Sequence, residues 1–260
     1  MFRVVVGGAT GKMGSMVCQL VQRQKDMQLT GGIVSSTGGN VGKVIAPGIV
    51  TSGDDRIEKV LENADVYVDV TSASAAERNL PRVARAGVNA VVGTTGISKD
   101  AIDEFAKIVS QHKASAVATP NFSIGVNVFW KVCGTLAAAL PTYDVEIVEV
   151  HHSMKKDAPS GTAKRAAEII AGTTGTDKMV YGRQGVVGAR GREIGIHSIR
   201  AGDVIGEHTV IFAGNKERIE LTHRAHSREA FAEGCIAAIR WVASRKDGSV
   251  HTMEEVLGLC

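Results

Sequence analysis

Residues 149–165 read EVHHSMKKDAPSGTAKR, placing two histidines, three lysines and an aspartate in one short stretch. Imidazole changes charge near neutral pH, so His151 or His152 suits a general acid. Lys155 offers an ammonium that can hold an anionic group or supply a proton. Pro159-Ser160 then leads into Gly161-Thr162, the signature of a helix start with Ser160 as its cap. The backbone N–H groups of Gly161 and Thr162, with the Thr162 hydroxyl, form an anion site that a small carboxylate fits.

The neighbouring residues have plainer readings. Glu149 with the histidine pair could start a metal cluster, but no third ligand of suitable type lies nearby in sequence, so no metal is expected. Lys164 and Arg165 face solvent on the helix, and Asp157 fixes the loop through backbone hydrogen bonds. His208 and His223 fall in strands and read as structural.

Positioning such a loop requires a strand before it and a helix after it. Tyr143–Val150 supplies the strand and Gly161–Ile170 the helix. Upstream, strands at Phe2–Val6, Leu29–Val34, Val66–Val70, Ala90–Val92 and Ala116–Ala118 alternate with helical patterns from Met13, over Ala75–Ala86 and over Lys99–Gln111. That rhythm predicts a parallel sheet covered on both faces. After Pro120 it changes. A helix over Val126–Leu140 is followed by strands His208–Ala213 and Glu217–Ala225 around a Gly214-Asn215-Lys216 turn. Met179–Arg192, rich in Gly and Arg, reads as a mobile loop. A last helix over Arg228–Val242 can return to the first domain.

The fold expected is therefore α/β: an N-terminal Rossmann-like parallel-sheet dinucleotide domain (1–121 with 229–260) and a C-terminal α+β domain with a mostly antiparallel or mixed open sheet (122–228). Hinges near Pro120 and Arg228 would let the two close on ligands.

Val4-Val5-Val6-Gly7-Gly8-Ala9-Thr10-Gly11-Lys12-Met13-Gly14 is a glycine-spaced variant of the dinucleotide fingerprint, set between a strand and a helix. The glycines allow a tight turn, and the helix start favours a pyrophosphate. NAD-binding folds usually end the second strand with an acid for the ribose hydroxyl. Ser35 and Ser36 stand there instead, and with Lys12 they would meet a 2′-phosphate without like-charge repulsion. NADPH is expected as the preferred cofactor, with NADH as the alternative. Gly93-Thr94-Thr95, Thr119-Pro120-Asn121-Phe122 and Asp69-Val70-Thr71-Ser72 each end a strand, where ligands lie in doubly wound sheets.

Composition sets outer bounds. The chain has 260 residues, 44% hydrophobic and 22% charged, with a net charge of +3, too small to point to nucleic acid. Cys18, Cys133, Cys235 and Cys260 form no C-x-x-C pair, so free thiols in a reducing compartment are expected. The N-terminus has no signal-peptide pattern, and no apolar run approaches the roughly 20 residues of a membrane helix. A cytoplasmic protein without a membrane partner is expected. Two other readings stay open on residues alone: another dinucleotide-dependent amino- or hydroxy-acid dehydrogenase, and a nucleotide-sensing protein without chemistry.

The stretch Glu149–Ala163 resembles the signature of the 4-hydroxy-tetrahydrodipicolinate reductase (dihydrodipicolinate reductase) family. Gly93–Gly96, Asn121–Asn127 and Arg200–Thr209 are similar to further family signatures. The resemblance implies reductive loss of water from a cyclic hydroxy dicarboxylate on the lysine and diaminopimelate pathway. It implies His151 and Lys155 as the acid pair, His152, Gly161 and Thr162 as substrate contacts, and Gly8–Met13, Gly93–Thr95 and Thr119–Phe122 as cofactor contacts. Many members carry an acid at the end of the second strand, and this chain departs there. The resemblance also implies a homotetramer assembled through the second domain's sheet.

Overall fold

The computed structural model describes residues 1–259, so Cys260, expected as a free thiol, lies outside the described residues. In chain order the elements are β1 (Phe2–Gly7), α1 (Lys12–Arg23), β2 (Met27–Val34), β3 (Val44–Ala46), β4 (Ile49–Gly53), α2 (Ile57–Leu61), β5 (Val66–Asp69), α3 (Ala73–Arg85), β6 (Asn89–Val92), α4 (Lys99–Gln111) and β7 (Ala116–Ala118). There follow α5 (Ile124–Ala139), β8 (Asp144–His151), α6 (Gly161–Thr174), β9 (Met179–Tyr181), β10 (Ile194–Arg200), β11 (Glu207–Ala213), β12 (Arg218–Arg224), α7 (Glu229–Val242), β13 (Val250–His251) and α8 (Met253–Val256).

The chain divides into two units, Met1–Ser123 with Phe231–Cys260 and Ile124–Ala230. The first is built on a sheet ordered β13-β7-β6-β5-β1-β2-β4-β3, parallel at every pairing but β3–β4. β5 and β6 are buried at every residue, because helices cover both faces and each side chain must be apolar. On one face Val4, Val6 and Val68 pack with Val17, Leu20 and Val21 of α1 and Cys235, Ile236 and Ile239 of α7. On the other, Val5, Tyr67 and Ala90 pack with Leu80 and Val83 of α3 and Phe105 and Ile108 of α4.

The second unit has a five-stranded sheet ordered β12-β11-β8-β10-β9. β8–β10 and β10–β9 are parallel, β8–β11 and β11–β12 antiparallel. Here burial alternates along β8, so Val145, Ile147, Glu149 and His151 point inward, where α5 and α6 cover one face through Phe129, Trp130, Ala163 and Ile170.

Two expectations change. Residues 44–53 form β3 and β4, which sequence left unassigned. Met179–Arg192 is not simply a mobile loop. Its start is β9, and its arginines are tied down: Arg183 bonds Glu146 at 2.9 Å and Glu193 at 2.8 Å, and Arg190 bonds Asp144 at 2.8 Å. Burial works against the charge on Glu146, yet Arg183, His197 and Arg190 bring its pKa down to about 2. No helix among the described residues is long and apolar enough to cross a membrane.

Candidate active site

In the first unit the glycine turn forms at the carboxyl end of β1. Gly8 has φ +76°, a left-handed conformation open to glycine. Its N–H bonds Ile33 O at 2.8 Å and its carbonyl accepts from Gly11 N at 2.8 Å. A Cβ on Gly14 would run into that same carbonyl, so α1 packs on the turn only because residue 14 is bare. Gly11 caps α1 with no side chain, and no acid stands in the first turn. The first N–H groups of this helix are thus left for an anion. This bare cradle fits a dinucleotide pyrophosphate.

The expected cofactor residues divide between cavities of this unit. One of about 300 Å³ is lined by Met13, Gly93, Thr94, Thr95, Pro120, Asn121 and Phe122. A smaller one of about 180 Å³ is lined by Gly8, Thr10 and Ser35, and by Asp54 and Asn79. Ser36 lines a third, with Gly38 and Arg56. Gly11 and Lys12 are exposed beside the turn. Ala9 is buried against the core, so only its backbone is available. Thr119 is also buried; its hydroxyl donates to Asn121 O at 2.8 Å and shapes the loop. Gly93 must be glycine because a Cβ there would overlap the Phe122 ring.

Buried Asp69, at the end of β5, organises this edge. Its Oδ1 accepts from the Thr71 hydroxyl at 2.7 Å and the Thr94 hydroxyl at 2.5 Å, and its Oδ2 from Tyr67 at 3.1 Å. A carboxylate also reaches the end of β2, from a segment whose strands sequence reading missed. Asp54 Oδ1 accepts from Ser36 N at 2.8 Å, and Arg78 stands 3.5 Å from the same carboxylate. The Ser36 N–H bond, against burial and with help from Arg78, holds Asp54 below the usual carboxylate range.

In the second unit His151 ends β8 and Ser160 caps α6, accepting from Ala163 N at 3.2 Å. The connection is pinned at its root: Ala201 N donates to His151 O at 2.9 Å and Ser153 N to Gly202 O at 3.1 Å. Lys155 Nζ lies 2.8 and 2.9 Å from the two Asp157 oxygens. The Asp157 carboxylate therefore serves the ammonium first, with a backbone N–H as a lesser partner, and both hold it below the usual carboxylate range. His152 is half-buried with Arg228 at 3.4 Å. Gly161 is exposed, and an added Cβ would meet nothing within 4 Å, so the bare backbone answers no packing demand of the fold. Trp130 Nε1 donates to Thr162 O at 3.0 Å and braces the first turn.

His151 Nδ1 lies 2.5 Å from Glu149 Oε2. Burial pushes the imidazole below its ordinary pKa, the Glu149 bond works the other way, and the Lys155 charge adds to the lowering. Two partners were not legible in sequence. Arg200 grips Glu149 through two bonds of 2.9 Å. His208, buried on β11, touches Ser160 Oγ through Nε2 at 2.9 Å and lies edge-on to His151 at 5.2 Å between ring centroids. Burial lowers the His208 pKa to about 3, so the ring is neutral at pH 7.

A doubly wound unit with an open glycine turn, followed in one chain by a unit presenting imidazole, ammonium and a second open helix start, is the layout of a dinucleotide-dependent oxidoreductase. The comparisons with known proteins narrow the class. Residues 2–122 match the family model "Dihydrodipicolinate reductase, N-terminus" and residues 125–257 the model "Dihydrodipicolinate reductase, C-terminus". The chain is 47% identical to the 4-hydroxy-tetrahydrodipicolinate reductase of Methanosarcina barkeri, covering 100% of both. It is 47% identical to that of Methanocaldococcus jannaschii, covering 100% of this chain and 98% of the other. A dipicolinate-bound dihydrodipicolinate reductase structure from Paenisporosarcina sp. TG-14 superposes with a TM-score of 0.83 at 27% identity, covering 98% of each chain. A DAP dehydrogenase of C. glutamicum, at 16% identity and TM-score 0.57, shares the fold alone. The chain belongs to the dihydrodipicolinate reductase family.

Proposed function

We propose that His151 and Lys155 carry the proton chemistry of the chain's reaction. That reaction is the NAD(P)H-dependent reduction of (2S,4S)-4-hydroxy-2,3,4,5-tetrahydrodipicolinate to tetrahydrodipicolinate with loss of water, in lysine and diaminopimelate biosynthesis. When bound, the reduced nicotinamide supplies a hydride to ring carbon C4. The N–H groups of Gly161 and Thr162 receive a substrate carboxylate at the start of α6. Lys155 turns from Asp157 toward the substrate and offsets its negative charge, and His152 contacts the ring's other side. Departure of the C4 hydroxyl as water with a C5 proton first sets a C4=C5 double bond in conjugation with the ring C=N. Hydride addition at C4 then pushes an electron pair toward the ring nitrogen, and the resulting enamine is protonated at C5 by His151 or Lys155. The dianionic substrate works against the lowering of the His151 pKa by burial, which favours a proton on that ring once the site is filled. The observation that carries this reading is that one ten-residue connection holds the imidazole, the ammonium and the unobstructed Gly161 backbone together.

Nicotinamide absorbance loss, dependent on freshly made product of the preceding pathway enzyme, tests it. His151→Gln and Lys155→Ala are each expected to lower turnover at least about a hundredfold with cofactor affinity little changed. Normal turnover in Lys155→Ala removes that residue's assignment.

NADPH is the preferred cofactor in this reading. The end of β2 carries hydroxyls, Asp54 is engaged by Ser36 and Arg78, and Lys12 is exposed beside the turn. The ratio of kcat/KM for NADPH and NADH decides it, and a strong NADH preference refutes it. The enzyme works in the cytoplasm as a homotetramer joined through the second unit's sheet, a reading supported by exposed Tyr181, Ile199 and Ile219 on its strands and tested by light scattering.

A further inference from the structure

Glu149 has no exposed surface. Each of its oxygens is met by at least two partners, and Ser198 is a further hydrogen-bond partner of the carboxylate. Oε1 accepts from Arg200 Nη2 at 2.9 Å and Ser160 N at 3.1 Å. Oε2 accepts from Arg200 Nη1 at 2.9 Å and lies 2.5 Å from His151 Nδ1. Arg200 also donates to Asp157 O at 2.7 Å, so the same guanidinium holds the loop that carries Lys155. Removing one partner of a buried ion pair is costly, yet well-packed apolar replacements of such pairs are often as stable, so a buried carboxylate is weak evidence of a purely stabilising role.

An ionised carboxylate only accepts hydrogen bonds. Its neighbour at 2.5 Å must therefore be Nδ1–H. In the neutral ring the lone pair then lies on Nε2. That nitrogen faces Gly206, where an added Cβ would come within 3.1 Å of it. It makes no hydrogen bond to the described residues and is not among the buried atoms sealed from solvent.

We propose that Glu149 is a positioning residue that fixes His151 as the Nδ1–H tautomer, leaving Nε2 as the atom that exchanges the proton with substrate. Through Ser160 N and Arg200 the same carboxylate ties that ring to the anion-binding helix start and to the lysine loop. This rests on the proton-transfer role of His151 proposed above, but it can be read without turnover.

Long-range ¹H–¹⁵N correlation spectra of histidine-labelled wild-type protein at about pH 8 report the tautomer, with His151 assigned by its loss in His151→Gln. The expected result is a proton on Nδ1. A proton on Nε2 in the wild type overturns the proposal and needs no Glu149 variant. Glu149→Gln should turn the ring toward the Nε2–H form, because the amide can present N–H to Nδ1. It should also lower kcat at least about tenfold and displace the pH profile of kcat, with KM for NADPH within about twofold. Wild-type kcat with an unmoved pH profile in Glu149→Gln overturns the positioning role. Full activity in His151→Gln would instead remove the role of the ring itself and leave the tautomer result standing.

Discussion

Replacing His208 by glutamine isolates the cost of keeping a neutral imidazole inside the second unit. The ring is 3% exposed, its Nδ1 has no hydrogen-bond partner, and burial, then the charges of neighbouring groups, take its pKa from 6.5 to about 3. In the unfolded chain the same ring titrates near its ordinary value, so the unfolded state binds the proton more readily. The stability tied to this neutral ring is complete above the unfolded pKa and is lost as pH falls from about 6.5 toward 3. At about pH 5 linkage puts the loss at about 2 kcal/mol. Glu146 and Glu149, both lowered from 4.5 to about 2, lose their contribution only below pH 4.5, so the interval above it belongs to the histidines. His151 and His223, also lowered, are common to both proteins and cancel in the comparison. Glutamine retains a polar atom for Ser160, and any packing defect it brings is independent of pH. The assay is urea unfolding followed by fluorescence in a Trp241→Phe background, where Trp130, buried in the second unit, is the remaining reporter. Wild type should lose about 2 kcal/mol more than His208→Gln between about pH 7.5 and about pH 5. Equal losses in the two proteins would refute the assignment of a neutral, unprotonatable ring at this position.

Gly14→Ala places a methyl group against the Gly8 carbonyl. The turn must open, and NADPH affinity, read by fluorescence titration, should fall at least about tenfold. Asn89→Ala removes a buried amide that donates to Val242 O at 2.7 Å and Arg245 O at 3.0 Å and accepts from Ser115 N at 2.9 Å. The unsatisfied groups left behind should cost the first unit about 2–3 kcal/mol, measured by Trp241 fluorescence in a Trp130→Phe background.

The nucleotide unit was legible because its central strands are buried on both faces and read as apolar runs closed by glycine. β3 and β4 were not, since Val44 is 74% and Val50 51% exposed, and the buried positions of β4 are Thr51 and Gly53, so its alternation does not show as apolar and polar residues. Missing them hid Asp54, whose place beside Ser36 depends on the parallel pairing of β4 with β2. The 179–192 segment misled for another reason: it is held by arginines against Glu146, Asp144 and Glu193, and propensity does not register charge pairing over long separations. At the site, His151, Lys155 and Gly161 could be read together because one loop carries them. Arg200 and His208 could not, since strand register alone sets Arg200 opposite His151 and His208 opposite Glu149. Glu149 was weighed as a metal ligand, whereas its oxygens are filled by Arg200, Ser160 and His151.

α7 belongs to the core formed by β1, β5 and α1, although about a hundred residues separate it from β7. A ribosome therefore delivers the first unit in two instalments. While residues 124–230 emerge, Val4, Val6, Val17 and Val68 lack the helix that shields them, and the Asn89 amide lacks the carbonyls it will clasp. The contiguous second unit can finish folding first, so the nascent chain carries an open apolar groove until α7 arrives. Chaperone dependence during synthesis should track that interval, and it should shorten in a circular permutant that begins with α7.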